Sequence, residues 1–260
     1  MRNLSRKALK WSTRILVASA LFIIIWFSIP AFPHPFFPHR YQYEYCTVYS
    51  DSVLTSDFQH TIQHLNKRLE ANDLHDPGKN TRIFLSHSRR LFGFYARICL
   101  LNPSIQGFNL SLFGNTFISV QRVKDMFERT GGFPGYGIRD GDMAHVLAHE
   151  ITHQYIKDEI GYIKNYRLAP WKREGYAEYG ANIGMIREDS TASLKNRIEA
   201  YLNNRYWENP GSIERDYYKS ELMVEFLSEI KGYNLTDIMD DSVKHDETFN
   251  DMLVWYKNSD

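Results

Sequence analysis

The residues best suited to chemistry in this sequence are two histidines and three glutamates gathered between positions 149 and 178. His149-Glu150-Ile151-Thr152-His153 lies inside a run with helical apolar spacing. Residues four apart stand one above the other on a helix face, so the two imidazoles converge on one point while Glu150, one position round, faces the same cleft. Neutral imidazole is a good ligand for Zn2+, at about 2.0–2.1 Å. A zinc ion that does chemistry needs a third protein ligand and one open position. Glu174, 21 positions after His153, is the candidate, in the run Glu174-Gly175-Tyr176-Ala177-Glu178-Tyr179 with Trp171 before it. Two His, one Glu and an open position make a site that lowers the pKa of a water to about 7. Glu150, itself not a ligand, is then the general base that takes the water's proton and hands it to a leaving amine. His145 stands one turn before His149 on the same face. A fourth protein ligand would close the site, so His145 reads as a bystander. His60, His64 and His87 lack partners of this kind and read as surface residues.

HExxH followed about twenty residues later by W-x-x-E-G-x-A-E-Y resembles the gluzincin clan of zinc peptidases, which includes the thermolysin-like and aminopeptidase-N-like enzymes. The match spans His149 to Tyr179 and, more loosely, the helical half as far as Leu227. The resemblance implies a zincin-like fold and a single Zn2+ held by His149, His153 and Glu174. It also implies that Glu178 hydrogen-bonds one of the metal-bound histidines, fixing its tautomer and orientation. Gly175 and Ala177 would leave room for the two metal-bearing helices to pack closely. Tyr217-Tyr218-Lys219-Ser220, with Val224 and Phe226-Leu227 after it, resembles the tyrosine-bearing helix that supplies an oxyanion donor; Tyr217 is the first candidate and Tyr218 the alternative. The Gly-x-Met-Glu-Asn segment of aminopeptidase-N-like enzymes is missing upstream, so the resemblance points to an endopeptidase acting on peptide or protein substrates. Asn115 to Val120 is the expected edge strand on which an extended peptide would lie. The organisation also resembles that of small, membrane-anchored bacterial proteins of this clan. A different class of function fits the same ligands: a membrane-tethered binding or assembly module that keeps zinc without turnover. The intact Glu150 favours hydrolysis, and hydrolysis of a non-peptide amide would use the same groups.

These residues need elements to hold them, and the sequence reads as α+β: an N-terminal transmembrane helix, then a small, mostly antiparallel β-sheet lobe, then a helical lobe. Ile15 to Phe32 is uncharged, follows a basic segment from Arg2 to Arg14, and is long enough to enter a bilayer. Residues 1–14 read as a cytoplasmic basic tail, 15–32 as a single-pass signal anchor, 33–40 as a Pro-rich extended stalk, and 41–260 as the catalytic domain on the extracytoplasmic side. Ile29-Pro30-Ala31 is a poor cleavage site, with Pro30 inside the tripeptide and Phe32 just after it. Trp26, Phe32, Phe36 and Phe37 fall where an interfacial aromatic belt would lie.

Residues 1–40 hold six Lys or Arg and no acid, so the remainder carries 25 basic against 31 acidic residues. A mildly acidic domain of about 220 residues speaks against a nucleic-acid surface and provides for a sizeable core. Cys46 and Cys99 both read as strand residues, either paired or as two separate thiols.

In the front half, Tyr41–Tyr49 reads as one strand, Phe58–Glu70 as a helix and Arg82–Ser86 as a strand. RLFGFYARICLL, GFNLS and NTFISV, between Arg90 and Val120, read as further β runs. Five Gly between 129 and 141 mark a loop before the HExxH helix, which Asp140 or Asp142 would cap. Helices follow at Asp142–Ile160 with Gly161 at its end, Trp171–Met185, Thr191–Asn203, Ile213–Lys231 with Gly232 at its end, and Asp246–Lys257.

Overall fold

The computed structural model describes residues 2–56, 58–130, 142–188, 193–204 and 213–259. The chain is α+β, with one small mixed sheet and one apolar N-terminal helix. That helix, α1 (Arg2–Ala31), contains a stretch from Lys10 to Ala31 long and apolar enough to cross a membrane. Its 22 residues rise about 33 Å, enough for a hydrocarbon core of about 30 Å. From Lys10 on, most of its side chains are exposed.

Among the described residues five strands follow: β1 (His39–Gln42), β2 (Cys46–Ser50), β3 (Thr81–Ser86), β4 (Gly107–Leu110) and β5 (Asn115–Ser119). Their order across the sheet is β1-β2-β3-β5-β4. The single strand expected over 41–49 is a hairpin, β1 pairing antiparallel with β2 around residues 43–45. The sheet is not mostly antiparallel. β2–β3 and β3–β5 are parallel, and only the two outer pairs are antiparallel. The reason lies in the connections, because α2 (Phe58–Ala71) and α3 (Arg89–Ile98) return the chain across the sheet, and a helical crossover makes its strands parallel. α3 itself replaces the expected strand from Arg90. Ser88 caps it by accepting a hydrogen bond from the Leu91 amide, and Phe92, Tyr95 and Ala96 bury one helical face. Cys99 is therefore a helix-end residue. Cys46 and Cys99 are both free thiols, and burial pushes their pKa values up to about 12 and about 11.

Strand alternation sorts the core into two sides. Val48, Ile83, Leu85 and Ile118 face α2, α4 (Val120–Thr130) and α5 (Asp142–Ile160). Phe84, Phe108 and Phe117 face α3. The segment expected as an extended stalk also joins this second side. Phe37 is 2% exposed among Phe84, Tyr95 and Phe117, and His34 lies edge-on to Tyr49 and Phe84. The buried Asn115 side chain donates to the carbonyls of Pro30 and Ala31 at 2.9 and 3.3 Å. The end of α1 is thus bound to the domain, and Phe37 is a core residue with no place in an aromatic belt.

The helical half comprises α6 (Tyr162–Arg167), α7 (Pro170–Glu188), α8 (Leu194–Leu202), α9 (Ile213–Glu225) with a π turn at Phe226–Ile230, α10 (Leu235–Ile238) and α11 (His245–Asn258). Gly161 (φ +83°) and Gly232 (φ +71°) stand at the helix ends where they were expected. Its core centres on Ile156, Tyr176, Leu222 and Phe226. The Gly-rich loop and the cap of α5 lie outside the described residues.

Candidate metal centre

Three helices build the site: α5 carries His145, His149, Glu150 and His153; α7 carries Glu174, Glu178 and Asn182; α9 carries Tyr217 and Glu221. Close approach of α5 to α7 runs through Gly180, where a Cβ would lie 2.9 Å from Thr152 Cγ2 and 2.6 Å from Asn72 Nδ2. Gly175 has a different neighbour from the one expected. Its Cβ would meet Ser220 of α9 at 2.5 Å, so it spaces α7 from the tyrosine-bearing helix.

The helical period then brings His149, His153 and Glu174 together as the sequence spacing suggests. His149 Nε2 and His153 Nε2 are 3.1 Å apart, and Glu174 Oε2 lies 3.5 Å from the first and 3.3 Å from the second. Neighbouring ligands of a tetrahedral ion with bonds of about 2.0–2.1 Å are about 3.3 Å apart. The three atoms therefore have the spacing of one face of such a tetrahedron, and the donor set fits Zn2+. The second oxygen of Glu174 accepts from Arg173 Nε at 3.0 Å, which turns Oε2 toward the imidazoles. Burial alone would raise the pKa of Glu174, but the two histidines hold it well below the carboxylate range. Burial opposes a charged His149, yet Glu178 and Glu174 raise its pKa well above the usual value. The carboxylates that favour a proton on His149 would also attract a divalent cation.

Glu178 bridges two histidines. One oxygen is 3.1 Å from His149 Nδ1 and the other 3.0 Å from His145 Nε2. It therefore attends His149 and not His153. His145, read from sequence as a bystander, is buried and clamps Glu178 from the far side. Its Nδ1 lies 2.9 Å from Asn182 Oδ1, and Asn182 donates to Glu221 at 3.1 Å. His145, His149 and Glu178 also group closely enough to hold an ion. These ion-pair contacts hold one carboxylate against both rings, an arrangement that orients a ligating imidazole. The signal for His145 and Asn182 was present in their positions, each one helical turn beyond a site residue.

Glu150 is buried beside the three donors, and burial raises its pKa above the usual carboxylate value. It lies against β4, where a Cβ on Gly107 would come 3.2 Å from both its Cγ and its Oε1. Tyr217 stacks on His149 with ring centroids 6.3 Å apart and planes 8° from parallel. Burial, and then Glu174, raises its phenol pKa, keeping the group a neutral hydrogen-bond donor. Tyr218 instead is buried on the core side with Arg197 over its ring. The strand beside the site is β4. Asn115–Ser119 is interior, covered by β3 and β4, so the expected edge is one strand out.

No protein-family model matches the chain, and no curated protein matches it.

Proposed function

We propose that the protein is a zinc peptidase of the gluzincin type, with a zincin-like domain held outside the membrane by α1 as an uncleaved signal anchor. The observation that carries the proposal is the triangle of His149, His153 and Glu174 donor atoms with Glu150 buried beside it. A zinc ion in that triangle would acidify a water and polarise a peptide carbonyl. Glu150 accepts the water's proton and delivers it to the departing amine, which its raised pKa favours. Tyr217 donates to the oxyanion that develops on the substrate carbonyl. Glu178 and His145 fix the imidazole of His149. β4 offers its outer edge, which pairs with no strand among the described residues, to an extended peptide. An interior-chain peptide fits this open edge, so the reading is an endopeptidase.

The test is zinc content and hydrolysis of a broad mixture of unfolded proteins by the full chain in detergent. The wild type should hold one zinc and cleave, Glu150→Gln should hold zinc without cleaving, and Glu174→Ala should lose zinc. Stoichiometric zinc with no cleavage of any peptide would sink the peptidase reading and leave a zinc-bearing binding module. Absence of zinc would remove the site itself.

A further inference from the structure

The sheet has two ends, and α1 joins the domain at one of them. Asn115 starts β5 opposite Arg82 near the start of β3, and it binds the last carbonyls of α1. Three other segments reach the same end. α3 starts beyond Ser86 at the opposite end, runs back along the sheet, and finishes there in the exposed Leu100 (87%). The turn from β4 to β5 exposes Leu112 (61%) there. α5 runs the same way, with Glu150 beside Gly107, Gln154 beside Gly114, and Lys157 donating to the Ser111 carbonyl. Its continuation, α6, therefore also lies at this end, exposing Ile163 (69%) and Tyr166 (80%) beside Lys164 and Arg167.

Exposed aliphatic and aromatic side chains interleaved with Lys and Arg are the composition of a surface that sits in a bilayer interface. We infer that this end of the domain, formed by Leu100, the Leu112 turn and α6, rests in the headgroup region of the membrane that α1 enters. The occupant follows from continuity: a bilayer around an α1 that ends at Ala31 lies directly beneath the domain, because the buried contacts of Asn115 and Phe37 leave no free tether between them. The basic pair on α6 suits anionic lipid headgroups.

The inference rests on α1 spanning the membrane and deepens the peptidase reading. His153 stands seven residues before Ile160 on α5, so the candidate metal site is held about 10 Å above α6. The substrate class is then an extended, membrane-proximal segment of another membrane protein.

The experiment uses the full chain in vesicles of phosphatidylcholine with a minor share of phosphatidylglycerol. An environment-sensitive fluorophore is attached to Leu112→Cys, Ile163→Cys or Val53→Cys, with wild type carried through the same labelling as the blank for the native thiols. Val53 is equally exposed but follows β2 at the opposite end of the sheet. The probes at 112 and 163 should shift to the blue and lose most of their emission to nitroxide-bearing lipids, while the probe at 53 should do neither. If all three behave alike in water while the chain resists alkaline carbonate extraction, α1 is an anchor but the inference fails. Release by carbonate overturns the membrane reading itself, leaving the zinc measurements untouched. Protection that grows with protein concentration and ignores the nitroxide lipids would assign the patch to a second copy and overturn the proposal.

Discussion

Gly175→Ala tests whether α7 and α9 meet backbone to backbone. The new Cβ would stand 2.5 Å from the Ser220 carbonyl oxygen and 2.7 Å from its carbon. Both atoms are main chain, so no rotamer change relieves the clash and the helices must part. Bringing 2.5 Å to an ordinary 3.4 Å contact opens them by about 0.9 Å. Overpacking costs about 1–3 kcal/mol, and with two main-chain atoms closer than 3.0 Å this position falls in the upper part of that range, about 2–3 kcal/mol, which the better helix propensity of Ala offsets by about 1 kcal/mol. A net loss of about 1–2 kcal/mol lowers the melting temperature by roughly 2–8 °C in a domain of this size. Tyr217 sits just before Ser220 on α9 and moves with it, away from His149. A misplacement of about 1 Å costs on the order of a hundredfold in turnover. The close contacts of Glu174 run to His149 and His153 of α5, so zinc affinity should change by no more than a few-fold. Thermal unfolding in detergent, zinc content and peptide turnover measured on one preparation decide the matter. Unchanged melting would refute the helix contact, and zinc loss in step with activity would refute the assignment of Tyr217 to the oxyanion.

Glu178→Gln should weaken zinc binding by about 10–100-fold, read by titration against a competing chelator, because the clamp on His149 loses its charge; unchanged affinity would show that the bridge does not act on the ligand. Phe37→Ala should cost about 3–5 kcal/mol in denaturant unfolding, whereas a residue in a free stalk would cost almost nothing. Burial raises the pKa of Glu225 to about 7, Arg197 opposing and Glu221 adding to the rise. The folded state then holds this proton more tightly than the unfolded chain, so stability declines as pH rises from about 4.5 toward 7. Glu225→Gln should flatten that decline, and urea midpoints at pH 5 and 8 that fall equally in both proteins would contradict it.

The candidate site was legible because a helix is a local object. Residues 149, 153, 174 and 178 are four apart in pairs, and two i, i+4 pairs on facing helices converge whatever the rest of the chain does. The helices of the second half were read within a few residues for the same reason. The sheet was harder. RLFGFYARICLL is rich in aromatic and apolar residues, which suits strand and buried helix alike, and the deciding cap at Ser88 lies outside that run. Taking α3 for a strand removed a crossover and made the sheet look antiparallel. The edge was misplaced because strand order is a tertiary fact: β4 and β5 look equivalent along the chain, and only the pairing of β5 with β3 decides between them. Phe37 was hidden by its prolines, which signal an extended path but say nothing about what that path touches. Gly175 was correctly read as a point of close approach, with the wrong partner.

β4 is only four residues long, and its inner edge is taken by β5. A chain that added to it would be gripped only through the few main-chain amides and carbonyls that four residues turn outward, groups that every amino acid carries. Such a grip is nearly blind to side-chain identity and sharply aware of shape, since a helix or a folded hairpin has already committed those groups. Gly107 reinforces this, because at the point nearest Glu150 the strand presents bare backbone. Selection at this edge would act on disorder: what distinguishes one target from another is whether a stretch of it is unfolded, and for how long.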